Sequence, residues 1–178
     1  MNNKRDIQVI ARYIGLSLLA KGSNVSPLKL QKILYYCQSW YMVFFGRNNT
    51  LFEESPEAWA NGPVYPIIYQ EYRNKVSNMC EHLHLEDFSA TENNVSETLK
   101  ELVDKLNLSK DEVELLDSVI VLYGNKSQNN LIFLTHSEKP WVEARQDLPP
   151  YARSNNPISL DTMYQYYKER HDRNRNNQ

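Results

Sequence analysis

Three potential metal ligands fall within five residues, in the run Cys80-Glu81-His82-Leu83-His84. Alternation along a strand would put Cys80, His82 and His84 on one face. A fourth ligand would have to come from afar, and the C-x2-C spacing of structural zinc sites is absent. A solvated strand or loop is the better reading of this run. His136, followed closely by Glu138 and Trp141, is the second candidate, with the composition of a general base and its neighbours. No G-x-S-x-G, no H-E-x-x-H and no strand-preceded glycine loop accompanies it, and five glycines in the whole chain leave little for a nucleotide cradle. His136 therefore reads as a capping or hydrogen-bonded structural residue beside the helix start at Pro140. A metal-dependent hydrolase using Cys80, His82, His84 or His136 is the weakest functional reading. No metal and no cofactor is expected, and no residue is assigned a catalytic role.

The remaining chemistry is that of contact. Lys29 and Lys32 flank the approach to Tyr36. They read either as lysines that snorkel to water from a buried helix or as a partner-binding stripe with an aromatic anchor. Trp59, Tyr65 and Tyr69 surround a Gly-Pro turn. They are lids on the core or, if partly exposed, a docking surface. Twelve tyrosines cannot all be buried, which favours some interface role. Arg170, Arg173 and Arg175 make a small basic cluster that suits the C-terminal end of a helix dipole.

These residues depend on one stretch, 26–46. Ser26 is an N-cap, Pro27 sits at the first helical position, and Gly46 can end the helix. Between them Leu30, Ile33, Leu34, Cys37, Trp40, Tyr41 and Phe44 recur at helical spacing. Tyr35, Tyr36, Met42, Val43 and Phe45 make the helix apolar nearly all round, as in the centre of a domain. Lys29, Gln31, Lys32 and Gln38 interrupt it, so it is too polar to span a membrane.

The rest of the chain fits one mainly helical domain of 178 residues, with 41% hydrophobic content and a net charge of −2. That charge predicts no general attraction to nucleic acid or anionic membrane. Two cysteines, Cys37 and Cys80, give no disulfide framework. The N-terminus begins basic and turns apolar, but Arg12 breaks the run, so it reads as a first helix over 4–20 of a cytoplasmic protein rather than a signal peptide. A small β-hairpin or extended pair is expected near 51–60, with Trp59 over the core, and an edge strand near 82–88. A capping box at Ser109–Glu112 opens a helix to about Tyr123, with Val113, Leu116 and Ile120 on one face and Leu115, Val119 and Leu122 widening it. Further helices are expected from Ser127, Pro140 and Ser159. The domain is placed at 1–170, and 171–178 reads as a polar tail expected to fray.

The segments Leu28-Lys-Leu-Gln-Lys-Ile-Leu-Tyr-Tyr-Cys-Gln-Ser-Trp-Tyr41, Gly46, Leu51-Phe52, Glu57-Ala-Trp59 and Asn61-Gly-Pro-Val-Tyr-Pro-Ile-Ile-Tyr69 resemble the Panacea domain. That family includes SocA-like antitoxins and phage-associated proteins of the GepA type. Thr135–Arg145 is similar to its later motif. The resemblance spans about Asp6 to Tyr167 and is most specific over 28–69. It implies a mainly helical fold and an antitoxin of a toxin–antitoxin system. Such a protein neutralises a cognate toxin, encoded by an adjacent gene, by direct protein–protein binding. The alternative it implies is a proteolytic adaptor delivering the toxin to a AAA+ protease. Neither role needs a catalytic residue. If the motif carries over, its positions are Lys29, Gln31, Lys32, Tyr35, Tyr36, Trp59, Gly62, Pro63, Pro66, Tyr69, His136 and Trp141, with Tyr65 beside them, holding the fold or touching the toxin. Many relatives also carry an N-terminal DNA-binding extension; this chain starts almost at its first core helix, so no direct nucleic-acid binding is expected.

Overall fold

The computed structural model describes residues 5–176. It is mainly helical, with eight α-helices and one two-stranded hairpin among those residues. The order is α1 (Ile7–Ala20), α2 (Pro27–Phe45), β1 (Glu57–Trp59), β2 (Gly62–Val64), α3 (Pro66–Tyr72), α4 (Val95–Leu106), α5 (Lys110–Gly124), α6 (Gln128–Ser137), α7 (Lys139–Arg145) and α8 (Leu160–Asn176).

The central helix is α2. Ser26 Oγ accepts from the Lys29 amide at 3.1 Å, Pro27 occupies the first turn, and Gly46 follows the last residue. Fifteen of its nineteen residues are buried, so it cannot be a surface helix. It packs on α1, α3, α5, α6, α8 and the hairpin. Each large side chain it takes from water, such as Ile33, Leu34 or Met42, contributes about 1.5–3 kcal/mol. Phe44 departs from the expected inward face: it lies at the C-terminal end, 56% exposed.

The first helix begins at Ile7, with the Asp6 carboxylate capping the Gln8 amide at 2.8 Å; Lys4, placed in it from the sequence, lies outside the described residues. Gly15 lets Phe88 lie against α1, because a Cβ there would stand 2.3 Å from the Phe88 ring. The Ser109–Glu112 capping box forms and starts α5. That helix buries Leu116, Val119, Ile120 and Tyr123 but leaves Leu122 57% exposed, so its apolar surface exceeds its core face.

The hairpin sits later than the sequence suggests. Leu51 and Phe52 are buried without strand pairing, and the strands are 57–59 and 62–64. Gly62, at φ +97°, allows the tight turn. Pro63 pairs with Ala58, whose own N–H turns away to Asn156 O, so the ladder requires no donor from the proline. The expected edge strand near 82–88 shrinks to one bridge, in which Leu83 N donates to Val25 O at 2.7 Å. Asp87 then accepts from the His84 amide and closes a single 3-10 turn over Leu85–Phe88. At the other end α8 continues past His171 to Asn176, with the His171 ring 5.2 Å from that of Phe44.

Candidate partner-binding site

The polar residues of α2 turn inward, onto backbone. Lys29 Nζ donates to Gly124 O at 2.6 Å, at the carbonyl end of α5 where a helix dipole favours a cation. Gln31 holds Tyr65 with both ends of its amide: Oε1 accepts from Tyr65 N at 2.8 Å and Nε2 donates to Tyr65 O at 3.3 Å. Lys32 is fully buried and Nζ donates to Pro63 O at 3.1 Å. Burial pulls its pKa down to about 7. The expectation that both lysines snorkel to water is therefore corrected. The hairpin and the end of α5 bring carbonyls to them, which takes the amines out of solvent.

Tyr35 and Tyr36 lie deeper still. Tyr36 stacks on Tyr123 with ring centroids 3.8 Å apart, and Tyr35 meets Tyr167 edge-on at 6.0 Å. The Tyr36 and Tyr167 hydroxyls donate to Glu138, at 3.3 and 2.5 Å, and Arg170 Nη1 stands 3.3 Å from the same carboxylate. Burial pushes Glu138 up to about 7, against the lowering pull of these donors and of Arg170.

His136 does not work with Glu138. Its ring stacks on Trp141 at 4.0 Å, and its buried Nε2 has no partner among the described residues. Burial, then the charges of Lys32 and Arg145, hold its pKa below the usual histidine range. Trp141 Nε1 donates to Trp59 O at 2.9 Å. Arg145, 4.9 Å over the Trp141 ring, donates to the carbonyls of Ala58, Pro149, Pro150 and Ala152. These contacts tie the hairpin to α7.

What reaches the surface is a smaller set. Tyr65 is buried, its ring 5.2 Å from Phe52, and Pro66 opens α3. Tyr69, one turn on, is half-buried and meets half-buried Trp59 at 4.9 Å. The pair lines a groove of about 700 Å³ with Leu28, Val64 and Met79 among its apolar walls. Cys80 lies on that groove as well, whereas Cys37 is buried; both thiols are free. Among the described residues no three His, Cys, Asp or Glu side chains converge as metal ligands.

Sequence reading missed Gln38 and Arg145. Gln38 repeats the work of Gln31 one heptad later, accepting from Leu51 N and donating to Phe52 O, both at 2.8 Å. The seven-residue spacing of two glutamines on an apolar helix was the available signal. No comparable signal marks Arg145, whose acceptors are backbone carbonyls.

No helix is long and apolar enough to cross a membrane, as far as the described residues extend. Compared with known proteins, the chain matches the family model described as antitoxin SocA-like, Panacea domain, over residues 30–142. No curated protein and no solved structure matches it.

Proposed function

We infer, from the fact that this chain belongs to the family of SocA-like antitoxins built on the Panacea domain, that it is an antitoxin neutralising a cognate toxin by direct binding. The family match runs from Leu30 in the first turns of α2 to Val142 in α7 and so takes in the hairpin, α3 and the helices between. We place one domain at 1–170 and the protein in the cytoplasm, with the toxin encoded by an adjacent gene. The family points to a non-catalytic role.

The observation that carries the reading is the division of labour among the motif residues. Lys29, Gln31, Lys32 and Trp141 spend their donors on backbone carbonyls of the same chain. Trp59 and Tyr69 form an aromatic pair on an open groove. Half-exposed tryptophan and tyrosine beside a concavity are the side chains that carry most energy at protein interfaces. Within the first group Gln31, Lys32 and Trp141 hold the hairpin and the start of α3, the elements that carry Trp59 and Tyr69, while Lys29 holds the end of α5.

Co-expression with the product of the adjacent gene tests the reading. A neighbour toxic alone, rescued growth and a co-purifying complex are expected. A harmless neighbour and no complex would overturn the antitoxin role. Rescue that depends on a functional AAA+ protease would replace direct neutralisation with delivery.

A further inference from the structure

The aromatic groove meets a second concavity at Cys80. The second, about 530 Å³, lies between the first turn of α2 and the α5–α6 turn, and Lys29, Lys126 and His82 line it. Arg153 stands on the wall of the first. No aspartate or glutamate lines either one, in a chain with 22 acidic residues against 20 lysines and arginines. The grooves elsewhere contrast: Asp104 and Asp117 line one beside α1, and Asp111 and Glu114 line one beside Phe44. Among the described residues exposed Arg153 and half-buried Lys126 form no ion pair, and Lys29 is held by a carbonyl rather than a carboxylate. The carboxylates beside these walls are turned to other donors, Glu57 to Trp59 Nε1 at 2.6 Å and Glu81 to Ser77 N at 2.7 Å, so Arg153 and Lys126 face the concavity without a carboxylate partner on a protein whose net charge is −2.

We propose that the joined concavity receives an acidic segment of the toxin, in which large apolar side chains pack against Trp59 and Tyr69 while neighbouring carboxylates reach Arg153 and Lys126. The proposal rests on the antitoxin reading and adds the chemistry of the partner. Charge complementarity selects carboxylates, because uncompensated cations on a rim attract and orient an anionic partner. The apolar walls of Leu28, Val64 and Met79 select a peptide with bulky side chains over a sugar–phosphate backbone. The negative net charge disfavours nucleic acid in the same direction.

Cys80 supplies the probe. It is exposed at the junction, whereas Cys37 is fully buried, so a maleimide added to the folded protein reads Cys80. Labelling is followed on the free chain and on its complex with the adjacent-gene product. Affinity is measured for the wild type, for R153K and for the R153E/K126E pair, with the melting temperature of each variant recorded beside it. Expected are protection of Cys80 in the complex, retained binding in R153K, and about tenfold or greater weakening in R153E/K126E that shrinks as salt rises. A complex in which Cys80 reacts at its free rate, or in which charge reversal changes nothing, overturns the assignment and leaves the antitoxin role standing. Protection of Cys80 by a short single-stranded oligonucleotide overturns it in favour of a phosphate-binding face. Failure to form any complex removes the antitoxin reading and this proposal together.

Discussion

Lys32 occupies the space that a side chain on Gly62 would need: a Cβ built there stands 2.7 Å from Lys32 Cε and 2.7 Å from Thr135 Oγ1. The same glycine holds φ at +97°, a conformation L side chains rarely adopt. The buried amine and the turn are therefore one device, since the turn delivers Pro63 O to Lys32 only if position 62 has no side chain. Gly62→Ala is expected to lower folding stability by about 2–4 kcal/mol, through backbone strain and overpacking together. Urea denaturation measures the loss. Shortening Lys32 to alanine in the same background should return part of it, seen as a favourable coupling in the double-mutant cycle.

Two buried groups of opposite type shape the dependence of stability on pH. Glu138 has a folded pKa of about 7 against an ordinary value of 4.5. The folded state thus binds more protons than the unfolded state between those values, and stability is full below 4.5 and lost as pH rises to 7. Lys32 has a folded pKa of about 7 against 10.5. Here the unfolded state binds more protons, so stability is full above 10.5 and lost as pH falls to 7. Their combined contribution therefore has its minimum near pH 7, with limbs no steeper than about 1.4 kcal/mol per pH unit for each group. Glu138→Gln should flatten the acid limb and Lys32→Met the alkaline limb in denaturation curves collected across pH. A limb that survives its substitution would show that another group sets it.

The two glutamines of α2 give a prediction of a different kind. Gln31→Ala leaves the Tyr65 N–H without its partner, while Tyr65 C=O keeps the Ile68 and Tyr69 amides; Gln38→Ala strips partners from both Leu51 N–H and Phe52 C=O. Each unsatisfied buried polar group costs about 1–3 kcal/mol, so Gln38→Ala should destabilise by roughly 2–4 kcal/mol and Gln31→Ala by about 1–3 kcal/mol, each lowering the midpoint in urea without changing the slope. Gln31→Glu separates shape from chemistry. It keeps the acceptor for Tyr65 N but loses the donor to Tyr65 O, and should fall between wild type and alanine if both bonds count.

Much of α2 was legible because its information is local. Its cap, its first-turn proline and its helical spacing lie within 26–46, and its burial follows from apolar residues on every side. The destinations of its polar side chains were not legible. Gln31 bonds a residue 34 positions away and Lys29 one 95 positions away, and such distances are set by the tertiary fold. The hairpin was displaced for a related reason. Leu51 and Phe52 look like strand residues, but Gln38 satisfies their backbone, so no second strand is needed there. His136 and Glu138 sit two apart in sequence, yet one stacks on Trp141 while the other faces Tyr36 and Tyr167. The motif over 28–69 spans α2, the hairpin and α3, the elements that wall the aromatic groove. Which of its residues face outward depended on how the hairpin closes over α2.

Tyr69 and Tyr65 separate contact from construction. Tyr69 is half-buried on the groove against Trp59, so Tyr69→Ala removes a ring from a surface that the fold does not need closed. Toxin affinity is expected to fall about tenfold or more while stability changes by about 1 kcal/mol or less. Tyr65 carries a buried hydroxyl with no partner among the described residues. Tyr65→Phe should therefore be neutral or stabilising by about 1 kcal/mol, and toxin affinity should stay at the wild-type value. Calorimetric melting and titration of both variants against the purified partner give the comparison. A Tyr69→Ala protein that loses affinity only in proportion to its folded fraction would place Tyr69 in the core, and a Tyr65→Phe protein with weakened binding would mean that the toxin reaches beneath α3.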